Sequence, residues 1–66
     1  MDGKMMGETL KKLRGSRTQA EVAKALGISI SALSMYENGE RIPRDEVKKR
    51  VAEYYGRTVQ HIFFRQ

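Results

Sequence analysis

The sequence predicts an all-α fold of five short helices, and three observations carry that prediction. Apolar residues recur at three- and four-residue steps instead of alternating, β-branched runs are few, and glycines recur at the ends of the apolar segments. Met6, Leu10 and Leu13 follow the helical step and define a first helix, closed by Gly15. Thr18-Gln19-Ala20-Glu21 then reads as a capping box, the Thr18 hydroxyl accepting from the third helical N–H and Glu21 reaching back. Val22, Ala23 and Leu26 form the inner face of this second helix, and Gly27 offers a left-handed turn without Cβ strain. Ser29 caps a third helix whose inner stripe is Leu33 and Tyr36 and which Gly39 ends. After Pro43, the Arg44-Asp45 step opens a fourth helix with Val47, Val51, Ala52 and Tyr55 inward, stopped by Gly56. Thr58 caps a short fifth helix carrying Val59, Ile62 and Phe63.

Composition sets limits on function. Residues 1–66 are read as a single domain, and a core this small leaves little surplus stability. Hydrophobic residues at 39% suffice for a modest core and are too many for a disordered tail. There is no apolar run long enough to span a bilayer, and Met1 to Met6 lacks a signal-peptide segment, so a cytoplasmic location is expected. The chain has no cysteine, hence no disulfide framework and no thiolate metal site; a single histidine, His61, has no ligand partners nearby in sequence. No metal or cofactor is expected. Thirteen Lys and Arg against eight Asp and Glu give a net charge of +5, which favours a polyanionic partner. No enzyme is visible: there is no Ser/His/Asp set and no glycine-rich phosphate loop. Asp45-Glu46 is explained by the helix dipole at a helix start. The run Lys48-Lys49-Arg50 reads as a solvated face of the fourth helix.

The most informative stretch is Gln19 to Asn38. A helix pair that projects its second helix into a major groove needs a small residue where the helices cross, a turn residue tolerant of positive φ, and apolar anchors beneath both helices. Ala23 and Gly27 meet the first two demands, Val22, Leu26, Ile28, Leu33 and Tyr36 fill the anchor places, and Ser29 supplies the cap. The bland alternative is a helical hairpin that merely packs.

Thr18 to Ala23, then Leu26-Gly27-Ile28-Ser29, then Tyr36-Glu37-Asn38-Gly39 and Pro43 resemble the Cro/phage-repressor family of helix-turn-helix regulators, also called the xenobiotic-response-element (XRE) type. The resemblance runs from about Leu10 to Phe63 and includes Ala52 to Gly56 and Ile62-Phe63. It implies a five-helix, lambda-repressor-like fold, double-stranded DNA as partner, dimeric binding to inverted-repeat operators, and usually repression. By position, Gln19 resembles the family glutamine that touches a phosphate at the start of the second helix, with Thr18 beside it. Asn38 matches a second phosphate-clamping site, and Arg41 and Arg44 lie in the loop where basic residues of relatives approach the DNA. Arg14 and Glu37 match an Arg–Glu pair tying the first helix to the end of the third.

The base-reading positions would be Ile30, Ser31, Ala32, Ser34 and Met35, with Ser29 at the helix start. Gln, Arg and Asn, whose bidentate hydrogen bonds distinguish base pairs, are absent there. Two hydroxyls, a methyl and two apolar side chains can touch a thymine methyl or bond several base edges, so DNA shape and water are expected to carry more of the specificity. The same low hydrogen-bonding capacity suits a second reading, a protein-interaction module of the same fold with an antitoxin- or antirepressor-like regulatory protein partner. General coating of RNA or DNA is opposed by the aromatic-poor face. Tyr54, Phe63 and Phe64 are more aromatic bulk than so small an interior readily hides, which points to a homodimer contact around Ile62, Phe63 and Phe64.

Overall fold

The computed structural model describes residues 3–64. They form α1 (Gly3–Arg14), α2 (Gln19–Leu26), α3 (Ile30–Glu37), α4 (Asp45–Tyr55) and α5 (Val59–Phe63), with no strand among the described residues. Three of the helix starts share one device. The hydroxyls of Thr18, Ser29 and Thr58 accept from the backbone N–H of Glu21, Ala32 and His61, each at 3.0 Å. Each such cap satisfies an orphan donor and is worth about 1 kcal/mol against alanine. The α2–α3 turn needs its glycine. Gly27 sits at φ 72°, and the following Ile28 N–H reaches back to the Ala23 carbonyl at 3.0 Å, a closure that sends the chain directly into the Ser29 cap.

Every helix contributes to the core: Met6 and Leu10, then Val22, Ala23 and Leu26, then Leu33 and Tyr36, then Val51 and Ala52, then Ile62 and Phe63. Among the described residues, no helix is long and apolar enough to cross a membrane.

α1 begins earlier than its apolar step suggests, and its first turns carry Gly3 and Gly7. Both are required by where the helix lies. A Cβ on Gly7 would overlap the Glu37 carbonyl oxygen and stand 2.9 Å from its carbon; one on Gly3 would stand 2.7 Å from the Gly39 carbonyl oxygen. α1 therefore rests backbone-to-backbone on the end of α3.

Two expectations change. Ile62 and Phe63 are both only 2% exposed, so the fifth helix spends them on the protein's own interior, and of the expected contact trio Phe64 alone faces outward, at 51%. The Lys48-Lys49-Arg50 run is not one solvated face. α4 packs against both α2 and α5, so its basic residues meet different neighbours. Lys48 is buried, its ammonium 4.9 Å from the Phe64 ring centroid, 5.9 Å from that of Phe63, and 3.7 Å from Asp45 Oδ1. Arg50 Nη1 donates to the Leu26 carbonyl at 2.8 Å, satisfying an orphan acceptor at the end of α2. Lys49 and Arg50 are both exposed, Arg50 keeping its Nη1 on that carbonyl, so Lys48 is the member withdrawn from solvent.

Candidate nucleic-acid interface

The arrangement of α2 and α3 is organised by one buried carboxylate. Glu37, in the last turn of α3, has a side chain 1% exposed. A carboxylate removed from water needs donors on its oxygens, and three converge here. Arg14 Nε donates to Oε2 at 2.8 Å and its Nη2 to Oε1 at 3.1 Å, a bidentate fork. Gln19 Nε2 donates to Oε1 at 2.9 Å. The remaining arm of Arg14, Nη1, donates to the Arg17 carbonyl at 2.7 Å and fixes the α1–α2 connection. One side chain thereby joins the end of α1, the start of α2 and the end of α3.

Electrostatics follow from the same geometry. The hydrogen bonds from Arg14 to Glu37 raise the guanidinium pKa further above its ordinary value, against a smaller opposing effect of burial. Tyr55 lies close enough to feel Glu37. Its pKa is pushed up to about 12, chiefly by burial of the phenol and then by the Glu37 charge. Its hydroxyl is buried without a protein hydrogen-bond partner among the described residues. The Tyr55 ring packs edge-on to Tyr54 with centroids 5.1 Å apart, and the Arg17 guanidinium lies over both, 5.4 Å from Tyr54 and 5.9 Å from Tyr55.

The expected site residues fall into two groups, one at each end of α3. At its carboxyl end, Glu37 holds Gln19, the first residue of α2, beside the exposed cap Thr18. The amide of Gln19 points inward, with its nitrogen on the carboxylate, because an amide oxygen there would face like charge. Asn38 follows α3, exposed, its Nδ2 at a long 3.5 Å from Ser34 Oγ. At the amino end of α3, Ser29 and Ala32 line one surface cleft together with Arg41 and Arg44 from the loop before α4. Ile30, at 51% exposed, and Ser31 stand clear into solvent, whereas Ala32, Ser34 and Met35 are half-buried. The outward face of α3 is therefore narrower than five reading positions would make it.

Some of this was missed in the sequence. The inward use of Gln19 follows from the burial of Glu37, which the structure shows and the sequence does not: a carboxylate buried that deeply has more acceptor capacity than one arginine fills. The Gly3-x-x-x-Gly7 spacing, a bare stripe on one helix face, was the available signal for the close approach of α1 to α3.

Five helices with α2 and α3 in this linked pair define a helix-turn-helix domain, and comparison with known proteins agrees. The family model for helix-turn-helix proteins matches residues 10–62, and the chain belongs to this XRE-type family of DNA-binding regulators. It is similar to the "ImmF control region 10 kDa protein" of Bacillus phage phi105, 41% identical over 54 residues. That match takes in 79% of this chain, which spans 60% of the relative's length. No solved structure is a significant match.

Proposed function

We propose that residues 1–66 act as one domain, a sequence-specific transcriptional repressor that binds an inverted-repeat operator as a homodimer. The observation that carries this reading is the Glu37 junction, which fixes the start of α2 and the end of α3 while leaving Ile30 and Ser31 outward. In this reading Thr18, Gln19 and the terminal N–H groups of α2 grip one phosphate; the second Gln19 amide hydrogen is available while the first stays on Glu37. Asn38 holds a second phosphate, and Arg41 and Arg44 follow the backbone beside Ser29 and Ala32. Ile30 and Ser31 read base edges directly, with Ser34 and Met35 contributing from the flank. Two such helices enter the same face of DNA when half-sites lie roughly 34 Å apart. The homodimer contact in this reading centres on Phe64, exposed over Lys48 and Val59, with Ile62 and Phe63 supporting it from within. The phage relative's name places that protein in a control region, which accords with a regulatory role.

The test is selection of bound duplexes from a random pool, followed by titrations at several salt concentrations. Gln19→Ala should weaken all sequences alike and flatten the salt slope slightly. Ile30→Ala or Ser31→Ala should shift preference among sequences. Equal effects of both classes on selected and random DNA would overturn the division of roles, and affinity insensitive to salt would overturn DNA binding itself.

A further inference from the structure

Between the start of α3 and the loop leading to α4 lies a cleft of about 370 Å³. Its apolar lining comes from Ile28, Ala32, Ile42 and Val47. Ile42 is 44% exposed, one of few large apolar side chains left facing solvent. Among the described residues, Arg41, Arg44 and Arg50 line the same cleft against a single carboxylate, Glu46.

We propose that this cleft docks an acidic segment of a regulatory protein, one large apolar side chain seated among Ile28, Ile42 and Val47 and flanking carboxylates on the arginines. This extends the DNA-binding reading, and only its second half rests on it: because Ser29, Ala32, Arg41 and Arg44 belong both to the cleft and to the proposed DNA surface, docking here and DNA binding exclude one another. Three features select this occupant. A sugar–phosphate backbone satisfies the guanidinium groups but leaves the exposed Ile42 side chain uncovered, whereas a nonpolar side chain beside flanking carboxylates covers it. The volume is at the small end for a ligand site, enough for one anchoring side chain and its neighbours. The second copy of the homodimer reading is placed at Phe64, on a surface that shares no lining residue with this cleft, whereas an acidic segment is drawn toward its three arginines.

The probe is a short fluorescent synthetic peptide rich in Glu and Asp with Leu and Phe at helical spacing. One control keeps its acids and replaces the apolar residues by Ser; another keeps the apolar residues and replaces the acids by Lys. Anisotropy measures binding to the full chain, and backbone amide NMR shifts locate it. The parent peptide should bind better than either control, with shifts centred on Ile28, Ala32, Ile42 and Val47. Ile42→Ser should weaken the peptide roughly tenfold while leaving affinity for a random-sequence duplex unchanged. Arg44→Ala should weaken both, and the peptide should release bound duplex. A Ser control as tight as the parent, shifts elsewhere, or no effect of Ile42→Ser would overturn the docking site. Self-association abolished by Ile42→Ser would overturn it in favour of a second copy. Peptide and duplex bound together would overturn the exclusion. Failure of the duplex to bind at low salt would remove the DNA reading and the exclusion with it, while the peptide shifts still decide the docking.

Discussion

Replacing Glu37 by glutamine changes one oxygen to NH2 and almost no volume, so its effect isolates the charge and the acceptors at the junction of α1, α2 and α3. The carboxylate accepts from Arg14 Nε, Arg14 Nη2 and Gln19 Nε2. An amide placed there can present its oxygen either to Arg14 Nη2 and Gln19 or to Arg14 Nε. In both orientations at least one donor is left facing another donor. A hydrogen bond to a charged group contributes about 1.5–3 kcal/mol, and an unsatisfied partner adds a penalty. Arg14 softens this, because its side chain is 22% exposed and can turn to water. The expected loss is about 2 kcal/mol, which for a domain of this size lowers Tm by about 8–16 °C. Thermal and urea unfolding followed by circular dichroism measure it, with the urea slope unchanged if only stability has moved. A double-mutant cycle with Arg14→Met should give a coupling of about 0.5–3 kcal/mol. A Glu37→Gln protein melting within about 2 °C of the parent (well under 1 kcal/mol at this size) would refute the reasoning, since the carboxylate would then not be what joins the three helices.

Other outcomes follow from the packing. Gly7→Ala gains helix propensity of about 1 kcal/mol, but the new Cβ meets the unyielding backbone of Glu37 and Gly39, so net destabilisation is expected, and a raised Tm would contradict the close approach of α1 to α3. Tyr55→Phe removes a buried hydroxyl with no protein partner, so its Tm at neutral pH should hold or rise. The Tyr55 pKa stands higher in the folded than in the unfolded chain, so the group leaves stability independent of pH below pH 10 and lowers it as pH climbs from 10 to about 12, where the unfolded chain ionises first. Tyr55→Phe should therefore be less sensitive to that alkaline window, which unfolding measured across it will test. Alanine at Lys48 or at Arg50 should cost about 1 kcal/mol through lost cover of the Phe63 and Phe64 rings or of the Leu26 carbonyl, while Lys49→Ala should stay within about 0.5 kcal/mol. Equal melts for all three would restore the picture of a uniformly solvated basic face.

The helix ends were readable in advance because their causes are local. A hydroxyl at Thr18, Ser29 or Thr58 and a glycine at position 27 or 56 act within a few residues of themselves, and each does so in the structure. The inner faces of α2 and α3 were legible for the same reason. Features set by a neighbour distant along the chain were not. Gly7 is needed only because the Glu37 backbone lies against it, a demand that apolar periodicity does not record. Ile62, Phe63 and Phe64 are adjacent and alike in character, and only the direction in which α5 meets the core decides that the first two are buried. Lys48 looked solvated because a charge run suggests water, yet it is buried with its ammonium over two aromatic rings. At the candidate site the Arg14–Glu37 pair was expected, whereas the inward turn of Gln19 depends on how many donors a buried carboxylate requires.

The Glu37 junction also has an evolutionary consequence. It secures α3 at its carboxyl end, and the amino end is held by a backbone cap from Ser29, not by the side chains of Ile30 or Ser31. Those two positions project into solvent, where exchanges typically shift stability by no more than about 0.5 kcal/mol. The scaffold therefore separates variation from stability: residues 30 and 31 can drift through alternatives without the domain crossing its stability threshold, while residue 37 cannot.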